Sequence, residues 1–333
     1  MKFYKLVFFN TLIMGTLISI SSSSWLGMWM GLEINLISMI PLLTNKNSYS
    51  SEAAIKYFIT QALASMIILM IIIMVSLYFS LNILYIKSYL MILNSALLTK
   101  MGAAPFHFWF PEVMEGLNWM SSLLMLTWQK IAPMILLMYN SQINNYFMII
   151  IILSMLISGI LGFNQISLRK ILAYSSINHI GWMLPAILLS WSIWLIYFSI
   201  YFLITLNILI FFNYFNIFYI KQLIPIINFN FTLKIFFLSN FLSLGGLPPF
   251  LGFLPKWFLI NELVKNNFYF LSMLMILLTL LTLFYYIRIT LSALMLNFNN
   301  KIYFNNIINK LLILINFLNL MSLPMLILSL NAF

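Results

Sequence analysis

Four ionisable side chains of this sequence lie inside long apolar segments and could exchange protons. They are Glu33, Lys100, Lys130 and Lys256. A charge at the centre of a bilayer costs about 3 kcal/mol on insertion scales, so such residues are rarely incidental. Burial disfavours the charged form of acids and amines, and a nearby opposite charge restores it, which allows proton exchange near neutral pH. Bridged by water, the four residues would make a proton relay.

A structural interpretation remains open beside this one. Buried charges can pair only to orient helices, and a lysine late in its segment, as Lys256 is, can extend its ammonium to the membrane surface. Arg288 lies near the end of its segment, so extension of its guanidinium to the membrane surface is the favoured interpretation. An arginine also cannot readily release its proton. His179 could link two half-channels because histidine titrates near neutrality, or it could be a packing residue.

The amino-acid composition indicates the environment in which the protein folds. Of 333 residues, 64% are hydrophobic and 6% are charged, whereas a soluble domain has about a quarter charged residues. In lipid, only helices and closed barrels satisfy every backbone polar group. Runs such as residues 67–75 are apolar on all sides rather than alternating. The sequence therefore predicts an all-α membrane protein that spans the bilayer many times.

Several kinds of chemistry are excluded. The sequence has no cysteine, which rules out thiolate-held iron–sulfur clusters, c-type haem and disulfides. Two histidines are too few for most metal sites, and the glycine-rich segment 245–249 lacks the Lys-Ser/Thr of a P-loop. The net charge of +11 would suggest nucleic acid in a soluble protein, but here the basic residues lie in short loops. We expect no cofactor, no metal and no nucleic acid.

The apolar segments predict about eleven transmembrane helices, since a span needs roughly 20 apolar residues. The predicted ranges are 3–20, 25–43, 53–79, 84–104, 119–139, 146–163, 171–190, 191–218, 235–260, 268–295 and 309–331. The N-terminus lacks a transit-peptide pattern and a cleavage site, so the first segment is expected to remain as a helix.

Loop charges predict the orientation. On the side of the N-terminus lie Lys2, Lys5, Lys46, Lys56, Arg169, Lys170, Lys221, Lys234, Lys301 and Lys310. On the opposite side lie Lys87 and Lys265. This excess places the N-terminus inside, in the cytoplasm or the mitochondrial matrix.

An internal repeat relates two of the predicted helices. Residues 102–111 align with residues 246–255, with Gly, Pro, Phe and Pro at the same spacing. Proline interrupts a helix, so each fourth helix of two five-helix units should be broken. The residues expected at helix breaks are Gly102, Pro105, Pro133, Gly246, Pro248, Pro249 and Pro255. Because five is odd, the units would be inverted repeats with ion sites near the breaks.

This organisation predicts one transmembrane domain over residues 1–333. The first repeat would cover helices 1–5 (about 3–139), the inverted second repeat helices 6–10 (about 146–295), and helix 11 about 309–331.

Five segments resemble a known family. They are Trp29-Met-Gly-Leu-Glu33-Ile-Asn35, Lys100-Met-Gly-Ala-Ala-Pro-Phe-His-Phe-Trp109, Leu126-Thr-Trp-Gln-Lys-Ile-Ala-Pro133, Leu168-Arg-Lys-Ile-Leu-Ala-Tyr-Ser-Ser-Ile-Asn-His179, and residues 241–257. Together they are similar to the antiporter-like membrane-arm subunits, of the subunit 2 family, of mitochondrial NADH:ubiquinone oxidoreductase (respiratory complex I). The similarity runs from about residue 25 to about residue 295.

The resemblance implies a proton-pumping subunit encoded in the organelle and located in the mitochondrial inner membrane, with its N-terminus on the matrix side. The family's membrane carboxylate falls on Glu33, its broken-helix lysine on Lys100, its central lysine on Lys130 and its distal lysine on Lys256. No redox group is expected in this chain; FMN, iron–sulfur clusters, NADH and ubiquinone would belong to the complex. Expected partners are other membrane-arm subunits, including neighbouring antiporter-like ones, and lipids.

Two other functions remain open. A stand-alone cation/proton antiporter would transport in vesicles as an isolated chain, although the sequence has no Asp for a cation site. A structural scaffold would keep full activity after neutralisation of both Glu33 and Lys100.

Overall fold

The computed structural model of the protein describes residues 3–45, 47–77, 83–140, 145–227 and 231–295, which form fourteen α-helices without a β-strand. The helices are α1 (Phe3–Ser21), α2 (Trp25–Leu43), α3 (Ser48–Leu77), α4 (Ile83–Met101), α5 (Trp109–Gly116), α6 (Trp119–Leu126), α7 (Trp128–Tyr139), α8 (Asn145–Phe163), α9 (Leu168–Leu189), α10 (Trp191–Phe215), α11 (Ile220–Ile227), α12 (Phe231–Gly245), α13 (Phe253–Lys265) and α14 (Tyr269–Met295).

Eight spans in the described part of the chain are long and apolar enough to cross a membrane. They are α1, α2, α3, the pair α6–α7, α8, α9, α10 and α14. The prediction of an all-helical protein with many membrane spans is confirmed. The predicted helix 11 (309–331) lies outside the described residues.

The observed helix boundaries depart from the predicted ranges at several positions. The predicted segment 119–139 is divided at Thr127 into α6 and α7. The predicted segment 235–260 contains α12 and α13, which are separated by the residues at which a break was expected. The eight-residue helices α5 and α11 were not predicted, because a window sized for a membrane span is too long to detect them. Helix α3 begins at Ser48, five residues before the predicted start.

Backbone contacts divide the chain into two compact units, Met1–Ile150 and Ile151–Phe333. In the first unit, α1 and α2 pack with their backbones in close approach. A Cβ on Gly31 would lie 2.5 Å from the Ser19 nitrogen, and one on Gly15 would lie 2.9 Å from the Asn35 nitrogen. Small residues at such a crossing let two helices approach closely, which fixes α2 and the residues it carries.

The helices α4 and α12 end in the same turn. Gly102 has φ 74° and Gly246 has φ 78°, a left-handed conformation that glycine adopts without a steric penalty. Ala103 N donates to Leu98 O at 3.0 Å, and Leu247 N donates to Leu242 O at 3.3 Å.

A second hydrogen bond completes each turn, from Gly102 N to Thr99 O at 3.1 Å and from Gly246 N to Ser243 O at 3.0 Å. Paired 6→1 and 5→2 bonds define a Schellman motif, a common helix ending. An irregular segment follows each glycine, residues 102–108 before α5 and 246–252 before α13.

Candidate functional site

The first helix break fixes Lys100, which lies in the last turn of α4 with 6% of its surface exposed. The end of a helix leaves carbonyl groups without intrahelical partners. Gln61 Nε2 donates to the Lys100 carbonyl at 3.4 Å, and Trp109 Nε1 donates to the Thr99 carbonyl at 3.1 Å. Side chains from α3 and α5 therefore stabilise this end and hold Lys100 in place.

Glu33 lies on α2, partly buried, and its charge interacts electrostatically with Lys100. Between these two described residues there is no ion pair within 4.0 Å. The structure therefore brings the carboxylate and the amine into electrostatic range without a direct contact. In a low-dielectric interior, such a charge still favours the charged form of an amine.

A small cavity opens beside Lys100. Its polar lining is formed by Asn35, Tyr57, Gln61 and Gln129 together with Lys100. It has about 10 Å³ available to the centre of a water molecule. That is about the room one water needs, and several polar partners surround it.

Lys130 lies on α7 and is 1% exposed. Its Nζ lies over the Phe110 ring, 5.6 Å from the centroid, a distance at which the ring face attracts a cation. Phe110 also packs against the turn at Gly102, where an added Cβ would lie 3.2 Å from the Phe110 Cβ. Lys130 is thus packed against the first helix break.

The structure places the residues expected at breaks as follows. Gly102, Pro105, Gly246, Pro248 and Pro249 lie in the two irregular segments between helices. Pro255, in contrast, is the third residue of α13, where a missing N–H costs no intrahelical bond.

Pro133 also lies within a helix rather than at a break. It occupies α7, and the interruption occurs at Thr127. A proline ring clashes with the carbonyl four residues earlier, which here is that of Gln129, so the interruption at Thr127 lies two residues before the clash.

In the second unit, Lys256 turns back toward the helix that precedes it. Its Nζ donates to the Gly245 carbonyl at 2.9 Å and lies 5.5 Å from the centroid of the Trp182 ring. The side chain is 6% exposed. The carbonyl belongs to the C-terminus of α12, where the helix dipole favours a cation.

His179 lies on α9, 5% exposed, in a cluster of tyrosines. Its Nδ1 is 2.9 Å from the Tyr197 hydroxyl, and its ring centroid is 4.9 Å from that of Tyr201. Tyr286 interacts electrostatically with both of these tyrosines. The cluster offers hydroxyl groups that can both donate and accept hydrogen bonds.

Arg288 contacts the end of a neighbouring helix. Its guanidinium donates to the carbonyls of Phe163, at 2.5 Å, and Gln165, at 2.9 Å. Both lie at or just beyond the end of α8, so Arg288 stabilises that helix end.

Sequence reasoning did not identify the uncharged polar residues of the site. These are Asn35, Tyr57, Gln61 and Gln129 around Lys100, and Tyr197, Tyr201 and Tyr286 near His179. Asn35 and Gln129 each lie within a segment that resembles the family, which was a signal that could have been followed.

Multiple membrane-spanning helices, two interrupted helices, three buried lysines and a carboxylate in electrostatic range of one of them are typical of an antiporter-like membrane protein. The family model described as "NADH:quinone oxidoreductase/Mrp antiporter, TM" matches residues 22–282. The chain belongs to this family.

Relatives of similar length agree with this assignment. The chain is 49% identical over 327 residues to NADH-ubiquinone oxidoreductase chain 2 of Anopheles gambiae, covering 96% of each protein. It is 50% identical to the protein of the same name from Aedes aegypti, covering 95% of each.

Among solved structures, a chain of respiratory complex I from Thermus thermophilus with bound aureothin has a TM-score of 0.84 at 23% identity. The match covers 96% of this chain and 79% of that one. A chain of an archaeal membrane-bound sulfane sulfur reductase has a TM-score of 0.83 at 15% identity, covering 97% and 73%. At these identities the likeness shows the fold.

Proposed function

We propose that this chain is a proton-translocating core subunit of the membrane arm of NADH:ubiquinone oxidoreductase. The observation that carries the proposal is the burial of three lysines, Lys100, Lys130 and Lys256, in a protein of apolar helices, each 6% exposed or less. Burying a charged ammonium group away from water is energetically expensive. Groups that gain and lose protons in turn explain why the chain retains them.

The first step takes place at Lys100. The negative charge of Glu33 favours the ammonium form of Lys100, because opposite charges attract more where water is scarce than in bulk water. Electron transfer elsewhere in the complex disturbs this interaction by an electrostatic or conformational change. The Lys100 proton then moves toward Lys130.

The proton leaves the relay through the second unit. Lys256 accepts the proton, assisted by His179 and bridging water. Moving one charge against a potential of 100 mV takes about 2.3 kcal/mol. A nearby carboxylate changes the free energy of lysine protonation by an amount of that order.

The architecture in this proposal consists of two inverted five-helix repeats, about 3–139 and 146–295, and an eleventh helix. The matched glycine turns at the ends of α4 and α12 support the repeat, since both form the same pair of hydrogen bonds. Proline also recurs at the third position of both α5 and α13.

The proposal also includes the location and the partners of the chain. The chain lies in the mitochondrial inner membrane with its N-terminus in the matrix, beside neighbouring antiporter-like subunits and lipids. FMN and iron–sulfur clusters belong to other subunits, where NADH is oxidised and ubiquinone reduced. The names of the relatives support this assignment.

Replacement of Lys130 by Met tests the proposal. In the intact complex, we expect normal assembly and fewer protons pumped per NADH oxidised, because Met cannot bind a proton. The matched control is Lys265→Met, at an exposed lysine 2.8 Å from Glu262. An unchanged proton-to-NADH ratio in Lys130→Met would contradict the relay.

A further inference from the structure

Both polar atoms of the Gln129 side-chain amide form hydrogen bonds to other helices. Its Nε2 donates to Asn35 Oδ1 at 2.9 Å, and its Oε1 accepts from the Tyr57 hydroxyl at 3.3 Å. These three residues, here named the amide bridge, come from α7, α2 and α3. Because donor and acceptor partners differ, the bonds fix which way the amide points.

The amide bridge forms part of the wall of the cavity beside Lys100. Asn35 is 3% exposed and Tyr57 is 2% exposed. A buried polar group is stable only when its hydrogen bonds are made, so three bonded groups around one small cavity form a rigid polar surface. The cavity has room for one water molecule with several partners.

The amide bridge also joins the helices that carry the other two groups of the first unit. Asn35 follows Glu33 by two residues on α2, and Gln129 precedes Lys130 on α7. A displacement of α2 would therefore move Gln129 as well. The helices that carry the carboxylate and the central lysine are therefore joined by a hydrogen bond at the cavity that Lys100 lines.

We propose that Asn35, Gln129 and Tyr57 are positioning residues that orient one water molecule for proton transfer from Lys100. An N–H bond of the ammonium breaks as an O–H bond forms on this water, which passes another proton onward toward Lys130. The amide and the phenol hold the water in line and are not themselves ionised. This inference rests on the proposed function and adds the residues that control its first transfer.

Replacement of Tyr57 by Phe tests the inference in the intact complex, purified and reconstituted in vesicles. The variant keeps the ring and removes one hydrogen-bond donor. We expect normal assembly, proton pumping slowed about two- to tenfold, the range for loss of one hydrogen bond, and a larger rate ratio between H₂O and D₂O. The control is Tyr139→Phe, which loses a 3.3 Å bond to the Ile20 carbonyl away from the cavity.

Gln129→Met is a second variant, similar in length, that removes both bonds of the amide. It should slow pumping at least as much as Tyr57→Phe. Normal pumping and a normal isotope ratio in both variants would overturn the inference, and so would a loss of assembled complex with an unchanged isotope ratio per complex. If Lys130→Met is impaired while both variants are normal, the inference fails alone. If Lys130→Met is also normal, the proposed function fails.

Discussion

The two broken helices of this chain end in the same glycine turn but hold their lysines in different ways. Lys100 comes before the first break, faces a polar cavity and interacts with the charge of Glu33. Lys256 comes after the second break and donates to the Gly245 carbonyl, with the Trp182 ring 5.5 Å away. The backbone motif is shared, whereas the electrostatic environment is not.

This difference suggests a division of work between the two lysines. A carboxylate can change its charge or its distance, so its effect on Lys100 can be altered from outside. A backbone carbonyl and an aromatic ring have fixed dipoles and quadrupoles, so the environment of Lys256 is nearly constant. Lys100 is suited to respond to a signal, and Lys256 is suited to accept a proton at a constant affinity.

Packing around the breaks differs as well. In the repeat, Phe108 of the first break aligns with Gly252 of the second. Phe108 is 71% exposed, whereas a Cβ at Gly252 would overlap the Ser243 carbonyl oxygen. The second break is therefore more tightly packed at this position than the first.

The largest expected effect follows from that contrast. Gly252→Ala places a methyl group on a backbone carbonyl, which cannot move aside as a flexible side chain would, so the second break should not form. We expect severe loss of assembled complex, measured by native gel electrophoresis. Phe108→Ala is the matched variant at the first break and should assemble. Equal assembly of the two variants would show that the breaks are packed alike.

A smaller effect is expected from Glu33→Gln, which removes the charge that acts on Lys100 and nearly preserves shape. Proton pumping should fall about tenfold, equivalent to about 1.4 kcal/mol in the barrier, with assembly unchanged. The control is Glu112→Gln, at a carboxylate that is 59% exposed and 3.1 Å from Lys56. Normal pumping in Glu33→Gln would mean that the charge of Glu33 does not control Lys100, and that the proposed difference between Lys100 and Lys256 does not exist.

The two irregular segments after α4 and α12 coincide with local signals in the sequence. Gly102 and Gly246 are needed where the chain turns with positive φ, and the aligned prolines mark the same segments. Buried lysines in apolar helices were equally visible, since a charge is conspicuous there. Both kinds of signal depend on residue type alone.

The amide bridge was not predictable in this way. Tyr57 and Gln129 are 72 positions apart, and Gln129 and Asn35 are 94 apart. An uncharged polar residue in a membrane helix can satisfy its hydrogen bonds on its own helix or on another one. Only the packing of α2, α3 and α7 determines which. Pro133 shows the same limit, because it lies inside α7 and the helix interruption is at Thr127.

The smallest expected effect concerns the ring beside Lys256. Trp182→Phe keeps an aromatic face, whereas Trp182→Met removes it at a similar volume. If the ring stabilises the ammonium form, the Met variant should pump about two- to fivefold more slowly than the Phe variant, the range of a weak cation–π interaction. If Trp182 only fills space, the two variants should pump equally, since both leave a comparable cavity. Equal rates would leave the Gly245 carbonyl as the feature that distinguishes the environment of Lys256 from that of Lys100.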